Sequence, residues 1–254
     1  MNSSPTHSHH RYVINFGEMK KDEARKYSDL MAIVEEKVKP ERLKLNMNTA
    51  DGRRRGEKWW LWGRYTPALF RAIAQCDRVL VITRHQPNWT LAFMPPNMVF
   101  SEALIVCTLD TYSAFCTLQS QLHEIWTRFF GSSLEDRIRY TPSDCFETFP
   151  FPPDWETIPT LEAAGKAYYE FRADLMVRHN EGLTATYNRF HDPDATDPDI
   201  LQLRTLHEAM DRAVLNPYDW HDITPTCTFQ LDYEDDEDED DTSTRRKKKP
   251  WRYR

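Results

Sequence analysis

Three short apolar runs separated by turn signals constrain the fold of this chain more than any other feature of its sequence. The runs are "RVLVITR" (78–84), "WTLAFMP" (89–95) and "ALIVCTL" (103–109), and "HQPN" and "PNMVFSE" punctuate them. Runs of this length between such turns are typical of sheet strands. The stretch that follows, 111–131, has helical periodicity and ends on a glycine. The order predicts an α+β domain in which this helix covers a mixed β-sheet.

The flanking sequence adds one strand and several helices to this prediction. "RYVINF" (11–16) has the pattern of a short buried strand, and apolar spacing predicts helices over 20–38 and 68–76. Two longer helices are predicted over 159–180 and 199–215, with the turn-rich "HDPDATDPD" between them. Asp199 is placed to cap the second of these helices.

Four regions follow from these patterns in a chain of 254 residues. We expect a disordered N-terminus over 1–10, the α+β domain over 11–155 and a small helical appendage over 156–223. The tail, 224–254, carries "YEDDEDEDD" and then "RRKKKPWRYR". Neither block can bury apolar surface, so a disordered tail is predicted.

A local excess of basic residues contrasts with the overall net charge of −7. Residues 39–84 hold eleven basic and four acidic residues, a net charge of +7. Within them, "GRRRGEKWWLW" (52–62) places three arginines between two glycines and before three tryptophans. One interpretation is a mobile basic loop that leads into core aromatics. The other is an arginine loop that meets phosphates and is supported by those aromatics.

Several kinds of catalytic site lack their motifs in this sequence. It contains no GxSxG, GxxxxGK[ST], HExxH or GxGxxG pattern, and no NPP[YF] tetrad of the kind that amino-methyltransferases use to hold the target amine. "NPYDW" (216–220) lacks the second proline and follows a predicted helix. The sequence also lacks the set of metal-binding carboxylates beside a lysine that would indicate a nuclease. The five cysteines show no CxxC spacing, which predicts a reducing cytoplasm without a disulfide framework or zinc site. No apolar run is long enough to span a membrane.

The ordered set of motifs resembles one family of proteins over about residues 11–223. The motifs are "RYVINFGEM", "IVEEKVKPER", "EKWWLWGRYTPALFRAIAQCDRVLVI", "QSQLHEIWTRFFGSSLEDRIRYTPSDCFETFPFP" and "LHEAMDRAVLNPYDWHDI". They are similar to the C-terminal portion of type IIG, MmeI-like restriction–modification enzymes and of phage-exclusion systems. That portion contains the target recognition domain and follows the adenine methyltransferase domain.

The resemblance implies a DNA target recognition module for an N6-adenine methyltransferase, with double-stranded DNA as its partner. S-adenosylmethionine and the catalytic residues would belong to a catalytic domain that this chain lacks, or to a separate methyltransferase subunit. No cofactor is therefore expected in this chain, whether it is a fragment, a split subunit or a truncated gene product. The predicted phosphate contacts are Arg53, Arg54, Arg55, Lys58 and Arg64. The predicted base-reading residues are Arg84, His85, Gln86, Asn88, Ser132, Ser133, Arg137 and Arg139.

Two alternatives stay open at this point. The first is a protein-interaction or DNA-mimic module of a phage-defence complex, in which the acidic residues after 154 would dock a basic partner. The second concerns "RYTPSDCFETFPFPPDW" (139–155). Its prolines favour extended chain, and we expect its aromatics to pack between the sheet and the following helices. The other interpretation of this segment is a DNA wedge.

Overall fold

The computed structural model describes residues 3–9, 11–63, 65–131, 133–134, 137–225, 227–231 and 251–253, and of residues 133, 134, 137 and 231 only the backbone. Two compact units divide the chain, one formed by residues 10–75 and the other by residues 1–9 and 76–254. Helices and small antiparallel sheets confirm the predicted α+β class. The predicted disorder of residues 1–10 stays a prediction.

The unit formed by residues 10–75 is built from short helices. They are α1 (Lys21–Ala24), α2 (Ser28–Lys37), α3 (Lys39–Leu43), α4 (Ala50–Glu57) and α5 (Pro67–Ile73). Its core contains Phe16, Ala24, Met31, Val34 and Trp59.

Two predictions for this unit were wrong. The segment 11–16 forms no strand, and of its apolar side chains only Phe16 is buried, while Tyr12 is 89% exposed. The helix predicted over 20–38 is interrupted, since Tyr27 leaves the helical region with φ −96° and ψ 67°. The Tyr27 ring lies 6.3 Å from the ring of Phe16.

The three predicted apolar runs form one antiparallel sheet. The strands of the larger unit are β1 (Val79–Thr83), β2 (His85–Gln86), β3 (Leu91–Met94), β4 (Leu104–Cys107), β5 (Ser133–Leu134), β6 (Arg137–Arg139), β7 (Phe229–Leu231) and β8 (Trp251–Tyr253). The first sheet has the order β3-β1-β4, with Val81 opposite Ala92 on one side and Val106 on the other. Every described strand pair in the chain is antiparallel, so the predicted mixed sheet is corrected to antiparallel sheets.

Five helices pack around these sheets. They are α6 (Tyr112–Gln119), α7 (Gln121–Phe130), α8 (Pro159–His179), α9 (Leu183–Phe190) and α10 (Pro198–Leu215). The helix predicted over 111–131 is two helices, because Ser120 is extended (ψ 155°) and its Oγ accepts the hydrogen bond of the His123 N–H at the start of α7. The predictions missed α9.

The helical region after residue 158 is part of the larger unit rather than an appendage. A Cβ at Gly165 of α8 would overlap the carbonyl oxygen of Tyr112, so the two helix backbones touch. The helix α10 is capped by Asp197, whose Oδ1 accepts from the Ile200 N–H at 3.3 Å. The predicted cap, Asp199, instead pairs with Arg178 and His179 of α8. The division between units thus lies near residue 75, where the sequence analysis placed none.

The two ends of the predicted disordered tail pair with each other. Phe229 lies opposite Tyr253, and Leu231 lies opposite Trp251. The structure differs here from the prediction of disorder over 224–254, because Arg252 is buried and holds the strand pair against the unit. The acidic and basic blocks themselves, over 232–250, lie outside the described residues.

Candidate nucleic-acid interface

A second small sheet brings together the two segments predicted to read bases. It has the order β2-β6-β5. In its register His85 lies opposite Arg139, and Gln86 lies opposite Ile138. The backbones of Ser133 and Arg137 belong to the same sheet, opposite Ile138 and Leu134.

The two faces of this sheet differ in exposure. Residues directly opposite in an antiparallel pair project to the same face, and successive residues alternate. His85 and Arg139 are both exposed, whereas Gln86 and Ile138 are 1% and 5% exposed. The exposed face therefore carries an imidazole beside a guanidinium, two groups that can hydrogen-bond base edges.

Two predicted base-reading residues are buried structural groups. The side-chain amide of Gln86 lies 3.2 Å from Thr90 Oγ1. The Asn88 amide donates to Asn188 Oδ1 at 3.1 Å and accepts from Arg252 Nη1 at 2.8 Å. Their polar atoms are used inside the protein, so the prediction that these two side chains read bases is corrected.

The remaining predicted base-reading residues are not all described. Arg84 is half-buried, and its Nε donates to the Glu102 carbonyl at 3.3 Å. Its own carbonyl accepts from the Tyr140 N–H at 2.9 Å, which ties β6 to the end of β1. Ser132 lies outside the described residues, as do the side chains of Ser133 and Arg137.

The aromatic and proline-rich segment packs against α7 below this sheet. Tyr140 and Phe149 are buried, as the packing interpretation predicted. The Tyr140 hydroxyl lies 3.1 Å from Nε2 of buried His123, and the Phe149 ring is 4.3 Å from the same imidazole. Burial lowers the pKa of His123 to about 3, which leaves a neutral ring. The segment is not extended throughout, since Pro142–Phe146 forms a π-helical turn.

The outer face of α7 is apolar and exposed, a feature that the sequence analysis did not predict. Ile125 and Phe129 are 53% and 79% exposed, and Phe130 is also exposed. The helix ends at Gly131, where a Cβ would lie 3.0 Å from the Arg139 carbonyl oxygen. This apolar face thus adjoins the β2-β6-β5 sheet.

In the unit formed by residues 10–75, the three consecutive arginines lie on a helix rather than in a loop. The helix α4 begins after Thr49, whose Oγ1 accepts from the Gly52 N–H at 3.1 Å. A Cβ at Gly52 would overlap the Asn46 carbonyl oxygen, so this glycine permits close packing and does not mark a mobile loop. The loop prediction for Arg53–Arg55 is therefore corrected.

The three arginines of α4 have different surroundings. Arg53 is exposed, and its Nε donates to the Met47 carbonyl at 3.3 Å. Arg54 and Arg55 share Asp51 at 2.9 and 3.3 Å, and hydrogen bonding from Arg55 lowers the pKa of that carboxyl. These exposed pairs hold the side chains in position but add little stability.

The three tryptophans that follow α4 tie this part of the chain to the rest of the unit. Trp59 lies in the core of the unit, and Trp60 and Trp62 donate through Nε1 to the carbonyls of Met19 and Ile14 at 2.9 and 2.8 Å. Trp59 is thus buried in the core of the unit, whereas Trp62 stays exposed and is held by its hydrogen bond to Ile14.

A pocket of about 300 Å³ lies beside α4, and we call it the Gly63 pocket. Four basic side chains line it, together with one carboxylate. These charged residues are Arg42, Arg54, Arg55, Lys58 and Glu18. The sequence analysis missed Arg42, which precedes the basic cluster by eleven positions and reaches it only through the fold. Arg64 lies outside the described residues.

Among the described residues, no group of His, Cys, Asp or Glu has the arrangement of a metal site, and no helix is long and apolar enough to cross a membrane.

A family model described as the target recognition domain of MmeI matches residues 3–153. The solved structure of the type IIL restriction–modification enzyme MmeI in complex with DNA is 25% identical and has a TM-score of 0.57. The alignment covers 81% of this chain and 26% of the MmeI chain, so this chain spans about a quarter of that protein's length. A comparison with curated proteins gave no match.

Proposed function

We propose that this chain, which belongs to the family of MmeI target recognition domains, selects the DNA sequence on which a restriction–modification N6-adenine methyltransferase acts. The observation that carries the proposal is the exposed pair of His85 and Arg139. The fold assembles this pair from segments that are distant in sequence.

The chemistry of this pair suits direct reading of a base pair. An arginine guanidinium can donate two parallel hydrogen bonds to N7 and O6 of guanine. The neighbouring imidazole can donate or accept, according to its tautomer. With Gln86 and Asn88 occupied inside the protein, we assign base reading to His85 and Arg139.

The cations of α4 supply contacts of a different kind. Arg53, Arg54 and Lys58 are exposed on one helix and its C-terminal cap, where they can neutralise phosphates of any sequence. We propose that this unit contributes affinity and that the β2-β6-β5 sheet contributes specificity.

The experiment uses randomised duplex DNA and four proteins: the wild type, two variants and a control variant. Arg139→Ala should weaken binding to the preferred sequence by about 1–3 kcal/mol and relax the preference at one base position. Replacing Arg53, Arg54 and Arg55 together with Ala should weaken binding to every duplex about equally. It should also reduce the slope of log K against log salt by up to about 3.

A charge-matched control is Arg212→Ala, which removes an exposed arginine from α10. It should alter neither sequence preference nor salt slope. Wild-type protein that binds duplex DNA without sequence preference would contradict the recognition role, and an unchanged slope in the triple variant would remove the phosphate contacts from α4.

We also propose that methyl transfer requires a catalytic part outside this sequence, which would hold S-adenosylmethionine and receive the target adenine after base flipping. The support is the lack of an NPP[YF] tetrad and of a glycine-rich cofactor loop. Labelled S-adenosylmethionine incubated with this chain and duplex DNA should transfer no label above a heat-killed control. Incorporated label would show that the chain carries its own catalytic site.

The five cysteines, none in a disulfide, are consistent with action in the cytoplasm.

A second candidate function is protein interaction, and the exposed apolar face of α7 favours it. Ile125, Phe129 and Phe130 present adjacent large apolar groups to solvent, as protein interfaces do. The occupant that we propose is the methyltransferase part of the same enzyme. Salt-dependent duplex binding by the wild type supports recognition, whereas a chain that binds the methyltransferase and no DNA is an interaction module.

A further inference from the structure

The Gly63 pocket contains hydrogen-bond donors that no described residue accepts. Nη1 of Arg42 and Nε of Arg55 are both inaccessible to solvent and have no partner among the described residues. A buried guanidinium N–H without an acceptor is unfavourable, because it has lost its water without gaining a replacement. The two donors therefore point to a missing acceptor.

The electrostatics of the pocket indicate that the acceptor is an anion. The lining residues carry four positive charges and one negative charge. Burial lowers the pKa of Arg42, and the nearby positive charge of Arg55 lowers it further. Glu18, the one carboxylate in the lining, has Arg71 as a partner at 4.0 Å. A bound anion would relieve the repulsion between the guanidinium groups.

The shape of the pocket depends on a residue without a side chain. A Cβ at Gly63 would lie 2.9 Å from Arg55 Nε and 3.2 Å from Arg42 Nη1, so only a glycine lets the backbone lie directly against these two unpartnered donors. The Gly63 carbonyl is fixed by Arg54 Nη2, which donates to it at 2.5 Å. The segment is thus held against the guanidinium groups, and a side chain at position 63 would displace them within the pocket.

We propose that the Gly63 pocket binds a single phosphate group through the guanidinium groups of Arg42 and Arg55, with Lys58 at its rim. A tetrahedral oxyanion offers several acceptors, and planar guanidinium groups match phosphate oxygens in pairs. This proposal rests on the proposed function in one respect: we assign the phosphate to the backbone of bound duplex DNA. Free inorganic phosphate has the same chemistry and is the other source to be tested. Such a contact differs from the exposed contacts of α4, because the phosphate would enter a pocket.

The test uses three variants of the full chain. Gly63→Ala places a methyl group against both donors, which displaces the two guanidinium groups, and it keeps every charge. Arg42→Met removes one donor group while keeping a long side chain, and it carries the test if Gly63→Ala fails to fold. Lys44→Ala is the matched control, since Lys44 is an exposed cation of the same unit that pairs only with Glu41 among the described residues.

Two measurements are made on each protein. The first is the thermal midpoint in sodium phosphate against sodium chloride of equal ionic strength. The second is duplex affinity as a function of salt. We expect phosphate to raise the midpoint of wild type and Lys44→Ala, and to have no specific effect on Gly63→Ala or Arg42→Met. Duplex affinity should fall several-fold in these two variants, with a salt slope smaller by about 1.

The outcomes separate this proposal from the proposed function. Phosphate binding that is lost in Gly63→Ala, in a chain that binds no duplex, would keep the pocket and reject DNA recognition. Lost phosphate binding with unchanged duplex affinity would make free phosphate the ligand and overturn the assignment to the DNA backbone. Duplex binding that is equal in all proteins, with no effect of phosphate on the wild type, would overturn the pocket alone.

Discussion

The unit formed by residues 10–75 keeps its described arginines at the surface, whereas the larger unit buries three of its arginines. In the smaller unit every described arginine is exposed or half-buried, whereas Arg172, Arg204 and Arg252 of the larger unit are at most 5% exposed. Residues 10–75 hold fifteen basic and nine acidic residues, net +6, and the remainder holds 18 basic and 31 acidic residues, net −13. The same side chain therefore has two different roles.

The hydrogen bonds of the buried arginines show what distinguishes these roles. Arg204 donates to four backbone carbonyls at and beyond the C-terminus of α9, where orphan carbonyls need donors. Arg172 donates to the Leu91 carbonyl at 2.8 Å and to the Tyr187 hydroxyl at 3.0 Å. A guanidinium whose donors are met inside the protein is structural. The donors of Arg42 and Arg55 that lack acceptors indicate a ligand.

The largest effect on stability that we expect from replacing an arginine is at the buried Arg172. Arg172→Ala should lower the free energy of unfolding by about 3–5 kcal/mol, because it leaves buried acceptors unpaired and opens a cavity beside aromatic rings. Denaturant unfolding followed by circular dichroism measures the change. The control Arg212→Ala should change it by less than about 0.5 kcal/mol. Equal effects at the two positions would show that burial does not separate the arginines.

His123 offers a second test of the interior of the larger unit. Its folded pKa of about 3 lies below the unfolded value near 6.5, so its contribution to stability is present above about pH 6.5 and falls as the pH drops. Between pH 6.5 and 5, wild type should lose about 2 kcal/mol relative to His123→Gln. The buried His207 acts in the opposite sense: burial alone would lower its pKa, but interactions led by the charge and hydrogen bond of Asp211 raise it. Because wild type and His123→Gln both contain His207, its contribution cancels when their free energies of unfolding are subtracted. Parallel curves would mean that His123 becomes charged in the folded state.

Arg252 connects the end of the chain to the segment that carries the base-reading pair. It donates to Asn88 Oδ1 at 2.8 Å and to the Pro87 carbonyl at 2.9 Å. Arg252→Ala should lower the free energy of unfolding by about 1–2 kcal/mol. It should also speed amide hydrogen exchange at residues 85–90 more than in β1. Unchanged exchange at these amides would show that Arg252 does not stabilise residues 85–90.

The smallest expected effect concerns the charge blocks between β7 and β8. We propose that the acidic block masks the basic block, so deleting residues 234–241 should raise non-specific duplex affinity a few-fold at low salt. Truncation after residue 231 is a poor comparison, because it also removes Arg252. The matched variant replaces the basic residues 245–249 with Ser and should lower the affinity. Equal affinities for all three proteins would make the segment a passive connection.

Sequence patterns predicted the elements that local chemistry determines. The three apolar runs became β1, β3 and β4, and the long helical period over 159–180 became α8. The family resemblance is confirmed by the match over residues 3–153. The predictions that were wrong concerned features that depend on contacts between residues distant in sequence. Nothing local to 11–16 shows that this segment has no neighbouring strand.

The candidate site was predictable in composition and not in geometry. His85, Gln86 and Asn88 are all polar residues, so their sequence does not distinguish them. Strand alternation exposes His85 and buries Gln86. The Asn88 side chain accepts a hydrogen bond from Arg252, which lies more than 160 positions away in sequence. Arg42 joins the Gly63 pocket only because α3 and α4 pack together. The glycine before the three arginines, Gly52, suggested a mobile loop, whereas its close packing against the Asn46 carbonyl explains the glycine better.

The pairing of β7 with β8 makes residues 232–250 an insertion with both ends fixed at one point. The entropy of closing a loop changes only with the logarithm of its length, so doubling it costs about 0.6 kcal/mol. The segment can therefore lengthen, shorten or be exchanged while Leu231 stays opposite Trp251 and Arg252 stays against Asn88. It is a natural site for a reporter or a cross-linking tag.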